Sequence, residues 1–235
     1  MVKNHLKRLN CPKTWAIEKK QNTFITRPMT TGQRLEFCLP LSTVLRDILK
    51  IGKNLNEIKH IINNNDVLVN GKKIIDVKYA LGFLDVLDIK ALNESYRLII
   101  GNNGKLKLVT IDDKEKNILL LKIINKTIMK GGKLQINFSN GMNLLIDDVK
   151  SVPCKIDDVV VYDFMNKKIL DVLAFENNAS VYFVGGKFIG SVVKVESIKK
   201  KENIIVFRTL SNDVLQTSLD YAYLIGKDKP LIKIE

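Results

Sequence analysis

Gly185-Gly186-Lys187 closes the apolar run Val181-Tyr182-Phe183-Val184, and a glycine pair with a lysine behind a strand is the raw material of a phosphate-cradling loop. A nucleotide-gripping version needs Gly, four residues, then Gly-Lys-Ser/Thr, with a helix behind it whose N-terminus faces the phosphates. Here Phe188 follows the lysine, Val181 stands where the first glycine would be, and the residues after Gly190 alternate as a strand. The loop therefore reads as a β-turn that presents a lysine. Gly131-Gly132-Lys133 and Gly71-Lys72 repeat the pattern, each followed by a short β-rich run. Glycine supplies the positive φ of such turns, and a lysine at the rim is placed to meet a phosphate backbone.

Other chemistry is sparsely provided for. His5 and His60 are the two histidines, so neither a histidine-based metal site nor a Ser-His-Asp triad has much to build on. Cys11, Cys38 and Cys154 are odd in number, far apart and in no C-x-x-C pair, which speaks against a disulfide framework and a zinc ribbon. No enzyme activity, metal or cofactor is expected. The charge is more telling: 38 Lys plus Arg against 25 Asp plus Glu leave +13. Such an excess suits a polyanion, because each neutralised phosphate releases condensed counterions. No run of eighteen apolar residues and no apolar signal core occur, so a cytoplasmic protein that binds neither membrane nor small-molecule substrate is expected.

The elements that must position these lysines fall into four stretches. Residues 1–40 carry Lys3, Lys7, Arg8 and Lys13 among few acids, with Pro12, Pro28 and Pro40 breaking any long helix, and read as a basic arm without a core of its own. His5 and Trp15 are candidate stacking residues in that arm, or anchors that pin it to its own protein. From Leu41 a helical stripe of Leu41, Val44, Leu45, Ile48 and Leu49 sets Arg46, Lys50 and Lys53 on the opposite face. Asn54 and Glu57 predict a capping box for a second helix, with Leu55, Ile58 and Ile62 inward and Lys59 outward, closing at Asn63 to Asp66 with Asn65 as a C-cap. Asn70-Gly71 then predicts a hairpin with Lys72 and Lys73 beside it. These elements make a compact unit over 41–93. Beyond it, β-rich runs separated by Gly and Asn turns suit two small antiparallel barrels, over 94–174 and 175–235.

Several stretches carry a resemblance. Leu45-Arg46, the Ile58, Ile61, Ile62 cluster and "NDVLVNGKK" resemble the small RNA-binding domain first described in the small-subunit ribosomal protein number four. "VYFVGGKFIGSVVKVESI" resembles the KOW motif of SH3-like barrels, with Val193 where that motif usually has glycine. Together with "HLKRL", "GGKLQINFSNGMN" and "IGKDKP", their order is similar from end to end to the archaeal and eukaryotic small-subunit ribosomal protein S4e family. The resemblance implies an α+β multidomain fold: a small two-helix plus hairpin domain followed by two small antiparallel SH3-like barrels. It implies a structural constituent of the small ribosomal subunit, with small-subunit ribosomal RNA and neighbouring ribosomal proteins as partners and no catalysis. The RNA-facing candidates are then Lys3, His5, Lys7, Arg8, Lys13, Trp15, Arg46, Lys50, Lys53, Lys59, Lys72, Lys73, Lys133, Lys187 and Lys194. An RNA-modifying enzyme or a non-ribosomal RNA chaperone using the same RNA-binding domain is the alternative; the former lacks a "GRLD"-like catalytic loop.

Overall fold

A computed structural model describes residues 5–64, 67–113, 115–146, 154–208 and 214–234. Lys3 and the C-cap region Asn65-Asp66 lie outside the described residues. The chain divides into two compact units, Met1–Ile100 with Gly104–Asn117, and Gly101–Asn103 with Ile118–Glu235. Among the described residues it is mostly β, with two short helices.

Unit 1 begins with β1 (Leu6–Lys7) paired to β2 (Phe24–Ile25). The segment expected as a bare arm packs instead: Trp15 and Arg8 are each only 1% exposed. A tryptophan buries more apolar area than any other side chain, and its indole Nε1 donates to Leu35 O at 3.3 Å, so both its body and its polar tip are served. β3 (Cys38–Pro40) leads into α1 (Leu41–Thr43), which widens at once into a π turn over Val44–Ile48. The expected first helix is therefore short and irregular. Its stripe survives, because Leu41, Val44 and Leu45 are fully buried, while Ile48 and Leu49 are only half-buried beyond the widened turn.

Helix α2 (Leu55–Asn64) follows. Lys53 N and Asn54 N both donate to Glu57 Oε2, at 2.8 and 3.4 Å, and these backbone donors hold the Glu57 carboxyl below its usual range. Ile58 and Ile62 are 0% exposed, each contributing about 1.5–3 kcal/mol by burial. Leu55, expected inward, is 39% exposed because it sits in the first turn, before the helix meets the core.

β4 (Val67–Val69) and β5 (Lys72–Lys73) form the hairpin read from Asn70-Gly71, whose φ values of 49° and 74° are those of a type I′ turn. β6 (Ala80–Gly82) pairs with β3, and β7 (Val86–Ile89), β8 (Glu94–Ile100) and β9 (Leu106–Thr110) complete an antiparallel sheet in the order β5-β4-β7-β8-β9. Because β8 hydrogen-bonds along β7, with Val86 opposite Arg97, the sheet runs straight across the boundary expected at 93/94. Asn70 also works as a strut: its Nδ2 donates to Asp85 Oδ1 and its Oδ1 accepts from Val86 N, both at 2.8 Å. Burial raises the Asp85 pKa, opposed by the Asn70 and Gly82 donors.

Among its described residues, unit 2 holds two five-stranded antiparallel sheets. The first contains β10 (Ile118–Ile128), β11 (Leu134–Phe138), β12 (Asn143–Ile146), β13 (Val159–Asp163) and β14 (Lys168–Leu173), in the order β12-β11-β10-β13-β14. β10 pairs with β13 through its first half and with β11 through its second, and a register shift between Ile123 and Asn125 bends it from one to the other. The second sheet contains β15 (Ser180–Phe183), β16 (Val192–Lys199), β17 (Ile204–Arg208), β18 (Val214–Ser218) and β19 (Ala222–Gly226), in the order β18-β17-β16-β15-β19. Its core centres on Phe183, Phe207 and Phe188, with Phe207 lying 4.9 and 5.1 Å from the other two ring centroids. Tyr223 of β19 ties the sheets together: its hydroxyl donates to Leu120 O at 2.8 Å and accepts from Lys122 N at 3.1 Å.

Candidate nucleic-acid interface

The cations predicted from sequence separate into those that serve the fold and those that reach solvent. Arg8 belongs to the first group. Its Nε donates to Glu18 O, one terminal nitrogen donates to Gln21 Oε1 at 3.3 Å, and the same nitrogen lies 3.7 Å from Asp47. With its guanidinium enclosed by protein acceptors, Arg8 staples the N-terminal segment to the first helical turns, and it is withdrawn as an RNA contact together with Trp15. His5 is exposed but stacks edge-on against Phe24, with centroids 5.7 Å apart. Lys7 and Lys13 remain exposed on this segment.

One groove of unit 1 gathers several candidates. Gln21 and Asn22 of the N-terminal segment line it together with Arg46, Lys50, Lys53 and Asn54. Arg46 meets Asp47 fork to fork, with both hydrogen bonds at 3.0 Å, and this pairing raises its pKa further. Its side chain keeps 22% exposure, and a guanidinium carries five donors, so the groove still meets part of the fork. Lys50 sits at φ 55°, a left-handed residue where the irregular helix stops. The signal for this groove was half legible: the Arg46, Lys50, Lys53 spacing gives one wall, while nothing local announces that Gln21 and Asn22 supply the other.

The remaining lysines stand apart from that groove's lining. Lys59 is exposed on α2, and Lys72 and Lys73 are exposed on the edge strand β5. In unit 2, Lys133 is exposed where the β10–β11 turn enters β11, and Lys194 points outward from β16 between buried Val193 and Val195. Lys187 is exposed with its Nζ 5.8 Å from the Phe188 ring centroid. The loop carrying it spans eight residues between β15 and β16, longer than the tight turn that Gly185-Gly186 suggests. Val193 fits the strand directly opposite Val181, so a side chain there costs the ladder nothing.

Three features escape sequence reading. Lys199, Lys200 and Lys201 border a groove with Phe175, Asn177 and Ile198, placed there by a 3-10 turn after β16. Arg97 is buried, donates to Glu115 O at 3.0 Å, and has its pKa pushed down to about 10 by desolvation. Lys116 pairs with Asp88 at 2.8 Å. Arg97 is thus a cation spent inside the fold, and Lys116, half-buried, is one paired at its margin. Among the described residues, no three His, Cys, Asp or Glu side chains gather as metal ligands.

Comparison with known proteins converges on one family. The profile described as "Ribosomal family S4e" matches residues 92–169, and the "RS4NT (NUC023) domain" matches residues 2–30. The small ribosomal subunit protein eS4 of Methanosphaera stadtmanae is 37% identical over 99% of this chain and 96% of its own length. That of Methanococcus aeolicus is 35% identical over 99% of this chain and 98% of its own. The crystal structure of the 30S ribosomal protein S4e from Thermoplasma acidophilum superposes with a TM-score of 0.66 at 27% identity, covering 81% of this chain and 95% of that one. By that end-to-end correspondence, the chain belongs to the eS4 family.

Proposed function

We propose that the protein is a structural constituent of the small ribosomal subunit, in the cytoplasm, where it binds small-subunit ribosomal RNA and meets neighbouring ribosomal proteins. The observation that carries this reading is the match to curated eS4 proteins along 99% of the chain. The solvent-facing cations supply the mechanism. Lys50 and Lys53 in the groove, Lys72 and Lys73 on the edge strand, and Lys133, Lys187 and Lys194 in unit 2 are exposed and suit phosphate contacts. Arg46 adds a planar donor fork, partly anchored by Asp47.

On this reading the two-helix and hairpin part of unit 1 is the ribosomal-protein-type RNA-binding domain, and unit 2 is a pair of SH3-like barrels, the second carrying the KOW segment. The bent β10 supports the barrel reading, since one strand that feeds two halves of a sheet is how small barrels close. Burial of Arg8 and Trp15 changes the role of the N-terminal segment: it is a wall of the unit 1 groove before any RNA arrives. Tagged protein in a cell lysate should co-sediment with small subunits at low salt and leave them steeply as salt rises. Sedimentation as free protein at low salt would sink the proposal.

A further inference from the structure

Asparagine is depleted in β-strands, yet Asn125, Asn137 and Asn143 stand opposite one another on β10, β11 and β12. Thr127, Gln135 and Leu145 form the next row across the same three strands. Alternation along β11 puts both rows on the face away from Ile136 and Phe138, which are 0% and 3% exposed. Asn125 and Asn143 are exposed, and Asn137 and Gln135 are half-buried. Within the fold, Gln135 Nε2 donates to Asn137 Oδ1 at 2.8 Å and Lys126 N donates to Asn125 Oδ1 at 2.8 Å. These bonds occupy the Oδ1 acceptors of Asn125 and Asn137, and their amide NH2 groups remain as donors on an exposed or half-exposed face. The face thus gives up strand propensity and recovers only part of it in these two internal hydrogen bonds.

Neither row contains an acid or a base, so the face is not itself a phosphate site. Each primary amide offers two donors and an acceptor, a match for a partner that both donates and accepts. The ribose 2′-hydroxyl is such a group, and the wide, shallow minor groove of an RNA helix displays it in series. A row across three strands spans roughly 10 Å, enough to reach successive riboses along that groove. Exposed Lys130 and Lys133, in the turn that joins β10 to β11, supply positive charge at the end of the face where flanking phosphates would run. A protein partner fits less well, because Leu145 is the one large apolar side chain in the two rows and interface cores want more.

We propose that this amide face of unit 2 binds the minor-groove side of an RNA helix, exchanging hydrogen bonds with 2′-hydroxyls while Lys130 and Lys133 reach adjacent phosphates. The proposal rests on the RNA-binding reading above and adds a site that distinguishes RNA from other polyanions. The test measures the affinity of the full chain for a short RNA duplex and for the same duplex with 2′-O-methyl ribose, over a range of salt. Wild type should prefer the unmodified duplex by about ten-fold, the equivalent of one or two hydrogen bonds. The N137A/N143A double variant should lose that preference and keep its salt slope, since it removes no phosphate contact. K133E should do the reverse, keeping the preference and flattening the slope.

A double variant that still prefers the unmodified duplex overturns the proposal, as does a wild type that binds both duplexes equally. Failure of wild type to bind any RNA, small-subunit ribosomal RNA included, would instead remove the reading on which the proposal rests. Should the double substitution unfold unit 2 in a melting experiment, N143A alone, on the edge strand, makes the same test with about a three-fold loss expected.

Discussion

In the turn between β10 and β11, Gly131 and Gly132 have φ of 89° and 77°, and a Cβ on either would meet nothing within 4 Å. In the loop between β15 and β16, Gly185 has ordinary negative φ, but its Cβ would lie 2.6 Å from Tyr221 Cδ1. The same Gly-Gly-Lys tripeptide therefore does two jobs. At the first site both glycines are required by backbone conformation in open space; at the second only Gly186, at φ 79°, is, and Gly185 is required by the close approach of an aromatic ring. In both, the lysine that follows is exposed. The lesson is that a short motif fixes what is presented to solvent more firmly than it fixes the loop underneath.

The steric class has its extreme at Gly226, ordinary in φ, where a Cβ would run into the Lys229 backbone carbonyl. Backbone cannot step aside as a side chain does, so Gly226→Ala should cost about 3 kcal/mol in denaturant unfolding of the full chain. Gly185→Ala comes next, at about 1–2 kcal/mol, because Tyr221 is 42% exposed and its ring has solvent to move into. Gly132→Ala should cost about 1 kcal/mol, the strain of holding a Cβ at positive φ with no clash. Tyr221→Ala tells the two glycines apart: it should relieve the Gly185→Ala penalty and leave the Gly132→Ala penalty untouched, and equal behaviour in the two double variants would erase the distinction.

The smallest effect on stability falls on the lysines. Lys133→Glu and Lys187→Glu should each leave unfolding within about 0.5 kcal/mol of wild type. Each should lower affinity for small-subunit ribosomal RNA and reduce the slope of log affinity against log salt by about 1, read by filter binding across salt concentrations. A slope unchanged in one of them would mark that lysine as solvated only.

Much of this architecture was legible where local chemistry decides it. Asn70-Gly71 names a type I′ turn because both residues tolerate positive φ, and Asn54 with Glu57 names a helix start because the carboxylate reaches two bare backbone donors. What stayed hidden depends on residues distant in sequence. Arg8 and Lys7 are adjacent cations, and nothing local reveals that Arg8 will find Asp47 while Lys7 stays in solvent. Trp15 has a partner twenty positions away in Leu35 O, and β8 joins the sheet of unit 1 through a register that no composition shift at residue 93 announces. The amide face was visible as letters, but its meaning needed the pairing of three strands, which places Asn125, Asn137 and Asn143 in one row.

Tyr223 carries a consequence for the order in which the molecule can be completed. Its hydroxyl bridges Leu120 O and Lys122 N, groups that lie 103 and 101 positions earlier in the chain. A chain grows from its N-terminus at several residues per second. β10 is therefore made many seconds before the residue that satisfies those two backbone groups. The described strands of the five-stranded unit 1 sheet are complete by Thr110 and those of the first unit 2 sheet by Leu173, whereas the second unit 2 sheet waits for β19. A chain halted before Tyr223 would hold the strands of the sheets β5-β4-β7-β8-β9 and β12-β11-β10-β13-β14 and lack the phenol that serves two backbone groups of β10.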